Sequence, residues 1–124
     1  MKIKAVFALA ALDAVAACQS PGGLSQQPPT WASTYAVPYD VMTNCLVARS
    51  QLPWVKVTPA FYPQERRATV SVTTPTGSAL GIFDVRQISE GATAVTYRSI
   101  YGGPSTSAGG DAQNMADRCA GGGA

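Results

Sequence analysis

The sequence predicts a small α+β domain: a helix, a four-stranded antiparallel meander and a second helix, with both helices on one face of the sheet. Three observations carry this expectation. Apolar residues recur four apart within 38–50, at Val41 and Cys45 and again at Met42 and Leu46, which is one face of a helix. Apolar and polar residues alternate in four blocks between 54 and 101, the period of a half-buried strand. Met115 and Cys119 are again four apart, in a stretch that Gly121, Gly122 and Gly123 bring to a stop.

The first helix opens after Pro38 and ends near Ser50, before Pro53, with Arg49 suited to the negative end of the helix dipole. "WVKVTPAFY" (54–62) sets Val55, Val57 and Phe61 on one side. Its Pro59 cannot donate to a ladder, so the strand belongs at a sheet edge. "RATVSVTT" (67–74) turns Val70 and Val72 inward and Thr69, Ser71 and Thr73 outward. "PTG" (75–77) is turn chemistry. "SALGIFDVRQI" (78–88) places Leu80 and Ile82 on one face and Phe83 and Val85 on the other. Either both faces are covered there, or a bulge near Gly81 switches the register. "SEGA" (89–92) is a second turn, and "TAVTYRSIY" (93–101) brings Val95, Tyr97 and Tyr101 to one side. Short connections make these strands antiparallel neighbours. "GGPSTSAGG" (102–110) reads as a loop, and Asp111 as the N-cap of a helix over 112–120. The domain is expected over 38–120, with 121–124 a disordered tail.

Upstream, "QSPGGLSQQPPTWASTYAVP" (19–38) is rich in Pro, Gly, Ser and Gln and has no hydrophobic period. Residues 18–37 read as a flexible tether with an end-to-end distance of roughly 25 Å. Trp31 and Tyr35 stand out in it, as residues that pack back on the domain or as an interfacial anchor or docking motif. At the start, Lys2 and Lys4 precede the short apolar run "AVFALAAL" (5–12), far below the roughly 20 residues that span a bilayer. Residues 1–17 therefore read as a signal peptide.

Val15-Ala16-Ala17-Cys18 resembles the lipobox of bacterial lipoproteins. The resemblance implies that the thiol of Cys18 receives a diacylglyceryl group, that the chain is cut before it, and that the new amino terminus is acylated. Each buried methylene contributes roughly 0.8 kcal/mol, so two or more chains make attachment effectively permanent. Gln19 is similar to the residues that permit sorting to the outer membrane in Gram-negative bacteria. The implied location is the outer membrane, facing the periplasm. The helix–strands–helix layout is loosely similar to small helix-grip domains of some envelope lipoproteins.

Three cysteines are an odd count. With Cys18 lipidated, Cys45 and Cys119 remain for one disulfide, which export favours over two independent buried thiols.

Composition argues against several functions. A net charge of +2, with 13% of residues charged, makes no case for nucleic acid. The absence of histidine removes the commonest general base and the commonest metal ligand. Lys56 is the only lysine beyond residue 17, and no motif places a serine beside it. Asp40 reads as a helix cap like Asp111, Glu65 and Glu90 as turn residues, and Asp117 as part of a solvated helix face. Asp84 sits in mid-strand, with Arg86 two residues on and Arg98 in the next strand. This is a cross-strand ion pair or a polar patch that recognises a partner. No spacing resembles a calcium loop or a zinc site, and 101–111 lacks the lysine of a phosphate loop. No cofactor, metal or catalytic residue is expected. "ERR" (65–67) reads as a solvated turn.

What remains is surface. Trp54, Lys56, Tyr62, Asp84, Arg86 and Arg98 are the candidate partner-binding residues, on the open face or edge of the sheet. The expectation is a non-catalytic, lipid-anchored accessory that binds an envelope protein. The alternative is a tethered inhibitor of an exported hydrolase, a protease or a lysozyme, acting through 62–67 or 101–111.

Overall fold

A computed structural model describes residues 21–24, 26–100 and 107–121. The expected signal peptide 1–17, the expected lipidation of Cys18, residues 102–106 of the expected 102–110 loop and residues 122–124 of the expected tail lie outside the described residues.

The elements run α1 (Pro21–Leu24), β1 (Trp31–Tyr35), α2 (Tyr39–Arg49), β2 (Lys56–Tyr62), β3 (Arg67–Thr73), β4 (Ala79–Ser89), β5 (Ala92–Ser99) and α3 (Ser107–Ala120). The sheet has five strands, not four. Its order is β1-β5-β4-β3-β2, with every neighbouring pair antiparallel. The expected meander is β2 to β5, with β2 and its Pro59 at one edge.

The added strand comes from residues placed in the tether. Trp31 pairs with Tyr97 and Tyr35 with Thr93. Trp31, Ser33 and Tyr35 are the more buried positions, while Ala32 and Thr34 are exposed. A period of two with aromatic ends fits a half-buried strand. Burial of Trp31 and five paired residues offset the chain entropy that a free tether would keep.

The approach to β1 is also docked. Leu24 is fully buried against Ala79 and Ile82. The Thr30 amide donates to the Tyr97 carbonyl at 2.7 Å, and Thr30 Oγ1 accepts from the Ser99 amide at 3.1 Å. Arg98 Nε donates to the Gln27 carbonyl at 2.6 Å.

The main core lies under α2 and α3. Met42 and Leu46 from α2, and Ala112 and Ala116 from α3, meet Trp31, Val70, Phe83, Val85 and Val95 of the sheet. Of the two four-apart pairs in α2, Met42 and Leu46 point into this core and Val41 is half exposed. Both open possibilities for β4 are realised. Phe83 and Val85 face the helices while Ile82 lies under Leu24. Val72 stands opposite Gly81 but Thr73 opposite Ala79, which leaves Leu80 bulged out of register.

Pro38 offers α2 no side-chain cap. Instead the Tyr39 amide donates to Gln87 Oε1 at 3.4 Å and the Val41 amide to Asp40 Oδ1 at 3.0 Å. Helix α3 begins at Ser107, so Asp111 lies inside the helix and does not cap it. Burial of Ala112 and Ala116 carries the helix through Gly109 and Gly110, although each glycine costs about 0.5–1 kcal/mol relative to alanine. A disulfide joins Cys45 of α2 to Cys119 of α3, with Cα atoms 5.8 Å apart. Beside it, Tyr35 Oη donates to Asp117 Oδ1 at 2.7 Å, and burial followed by this bond pushes the phenol pKa well above its ordinary value of 10.0.

Candidate functional site

The predicted surface residues do not form one patch. The strands carry them to opposite ends of the sheet, and a cavity opens at one of those ends.

The cavity, of about 550 Å³, lies between the C-terminal end of α2, the face of α3 and the end of the sheet where β4 begins. Val72, Leu80, Phe83 and Tyr97 form its floor, and Ala112 and Met115 one wall. Arg49, Arg118, Asp111 and Asn114 stand at the rim, and Leu52, Trp54 and Val55 form the lip. The floor depends on Gly81. A Cβ there would run into the Tyr97 ring, so glycine lets that ring lie across the β4 backbone. Tyr97 then packs on Phe83 with centroids 4.7 Å apart. Ser50 Oγ donates to Met115 Sδ at 3.6 Å, tying α2 to α3 beside the opening.

Trp54 belongs to this cavity, not to the open face of the sheet. Strand β2 starts only at Lys56, so Trp54 stays in the preceding turn, 62% exposed. Lys56, opposite Thr73, is at the same end.

Tyr62, Asp84 and Arg86 gather at the other end, near the β2–β3 and β4–β5 turns. The residue that organises them is Arg67. Its guanidinium sits 4.5 Å over the Tyr62 ring. Its Nε lies 3.4 Å from Glu65 Oε1 and its Nη1 3.6 Å from Asp84 Oδ1.

Asp84 thus takes its cation from β3, not from Arg86 or Arg98 as expected. Asp84 pairs with Thr69 and Thr96, so Arg67 and Arg98 occupy the two diagonals. Arg98 is engaged by the Gln27 carbonyl, which leaves the diagonal from Arg67. Arg86 is exposed on the same strand as Asp84 and directly opposite Arg67. Asp84 Oδ1 is itself buried and accepts no hydrogen bond.

The two hairpins are locked together, since the Gln87 amide donates to the Arg66 carbonyl at 2.9 Å. Next to Gln87, the register skips Ile88 and leaves it 56% exposed. The result is an exposed group of Tyr62, Arg86 and Ile88 around the half-buried Arg67.

Sequence reasoning missed Arg67, taking it for part of a solvated turn. Its signal was the alternation with Thr69 and Ser71, which places all three on the polar face of β3. The cavity had no such signal, because it arises from a bulge at Leu80 and a missing Cβ at Gly81.

Chemically, the two sites differ. The cavity has an apolar floor with charged groups at its margin, the usual make-up of a binding pocket, and Asp111 is the sole carboxylate among its described lining residues. The hairpin end has an aromatic ring, two guanidinium groups and an aliphatic side chain, a composition common in protein interfaces. No family model, curated protein or solved structure matches the chain.

Proposed function

We propose that this chain is a lipid-anchored, non-catalytic accessory of the cell envelope, held in the outer membrane and facing the periplasm, that binds an envelope protein. The observation that carries this reading is the hairpin-end patch, with Tyr62 under Arg67 and with Arg86 and Ile88 exposed beside it. Tyrosine and arginine are enriched among the few residues that dominate binding energy at interfaces. The cross-linked helices beneath the sheet keep this patch on a rigid support. The lipobox-like segment supplies the compartment. An inhibitor needs a loop that projects into a cleft, whereas the 62–67 hairpin closes in one tight turn at Pro63–Glu65.

The test is a photo-crosslinking residue in place of Tyr62 in cells, with Asn44 on the exposed side of α2 as the control position. The expected result is a membrane-fraction protein captured from position 62 and not from 44, and lost when Arg86→Glu is added. Identical products from both positions, or a soluble hydrolase alone, would overturn the reading. Cys18→Ser is expected to move the protein out of the membrane fraction.

A further inference from the structure

The docking of Leu24 fixes how far the domain can stand from its anchor. Leu24 is buried against Ala79 and Ile82, one residue before and two after Leu80 of the cavity floor. Helix α1 begins at Pro21, three residues after Cys18. Three extended residues span about 10 Å, and one helical turn adds about 5 Å. Strand β4, with 11 residues, is about 35 Å long. The chain from Cys18 to Leu24 can therefore reach no further than about half the length of the strand it leads to.

We propose that the cavity end of the domain lies against an anionic phospholipid surface, the one that holds Cys18, with Leu52 and Trp54 in its headgroup layer. The inference rests on the lipid anchor argued under Proposed function and adds an orientation and a second contact surface.

Side-chain chemistry at the two ends agrees with the reach. Leu52 is 48% and Trp54 62% exposed at the cavity lip. Ile100, 42% exposed, joins them because its amide donates to the Leu80 carbonyl. Tryptophan is the residue that settles at membrane–water interfaces. The hairpin end also exposes apolar side chains, so exposure alone does not choose between the ends. Charge does. Arg49 and Arg118 at the rim, with Lys56 and Arg98 at the same end of the sheet, outnumber the rim carboxylate Asp111, a net of +3. At the hairpin end Arg66, Arg67 and Arg86 are outnumbered by Asp40, Glu65, Asp84, Glu90 and Asp117, a net of −2. An anionic lipid surface attracts the first end and repels the second. The hairpin patch then points away from the bilayer, where a protein partner can reach it.

The experiment supplies the anchor chemically. With Cys45 and Cys119 bridged, Cys18 is the one free thiol of the mature chain. It is coupled to a maleimide lipid in vesicles containing phosphatidylglycerol, with and without brominated acyl chains. The chain has two tryptophans, so the variant Trp54→Phe reports Trp31 alone and the difference from the parent reports Trp54. The expected result is a blue-shifted Trp54 emission that brominated lipid quenches, while the buried Trp31 is unaffected. Phosphatidylcholine vesicles, or the pair Arg49→Gln with Lys56→Gln, should weaken the quenching. Trp54 emission that stays at the wavelength of water and responds only to aqueous iodide overturns the orientation. Equal quenching in neutral vesicles overturns the anionic character of the surface. In parallel, cells are fed labelled palmitate. An unlabelled chain overturns the lipid anchor itself, whereas a labelled chain with Trp54 in water overturns the orientation alone.

Discussion

Replacing Cys45 and Cys119 together by serine should cost this domain a large part of its stability. The bridge closes a loop with a sequence separation of 74 residues. In the chain-entropy model, opening a loop of that length costs about 4 kcal/mol. Both side chains are only partly buried, so the serine hydroxyls retain access to water and add little penalty of their own. Small domains have about 5–15 kcal/mol of stability in all. At roughly 4–8 °C per kcal/mol for a domain of this size, the double variant should melt roughly 20 °C lower. Circular dichroism melts of the parent, the parent with reductant and the variant make the measurement. The constraint acts on the unfolded chain, so refolding should slow more than unfolding accelerates. Equal melting temperatures with and without reductant would refute the bridge. A loss that appears wholly in the unfolding rate would place closure of this loop after the folding transition state.

Two further outcomes follow from single side chains. Leu24→Ala removes a fully buried side chain from between Ala79 and Ile82 and should lower stability by about 2–3 kcal/mol in urea unfolding; no change would mean that this segment is a free tether. Tyr35 holds its proton in the folded state far above 10.0 through burial and its bond to Asp117, while in the unfolded chain it ionises near that value. Its contribution is complete below about pH 10 and is lost as pH rises beyond it. Tyr35→Phe should therefore show a shallower alkaline loss of stability than the parent, and parallel curves would contradict the assigned bond.

Much of the meander was legible because it rests on local periodicity. Val70 and Val72 alternate with threonine and serine, and Pro59 identifies its strand as an edge. Strand β1 was harder to see. Its own residues, Trp31 to Tyr35, have strand character, but the surrounding proline, glycine and glutamine carry the signature of a linker. Only pairing with β5, some 60 residues away, fixes it. The same limit applies to the sites. Tyr62, Asp84 and Arg86 were recognisable as surface polar or aromatic residues on strands. Which of the arginines reaches Asp84 depends on register and on the Gln27 carbonyl, which claims Arg98. The cavity requires a bulge and an aromatic ring folded over a glycine, and neither is written in any short stretch of sequence.

The position of β1 at the far edge from β2 also sets an order of events during synthesis. Tyr35 leaves the ribosome 58 residues before its partner Thr93, a delay of about 3–12 s at 5–20 residues per second. For that interval a strand with two aromatic side chains has no sheet to join. The nascent chain must keep this segment from pairing with other strands until β5 emerges. The first strand made thus finds its partner only in the last strand made.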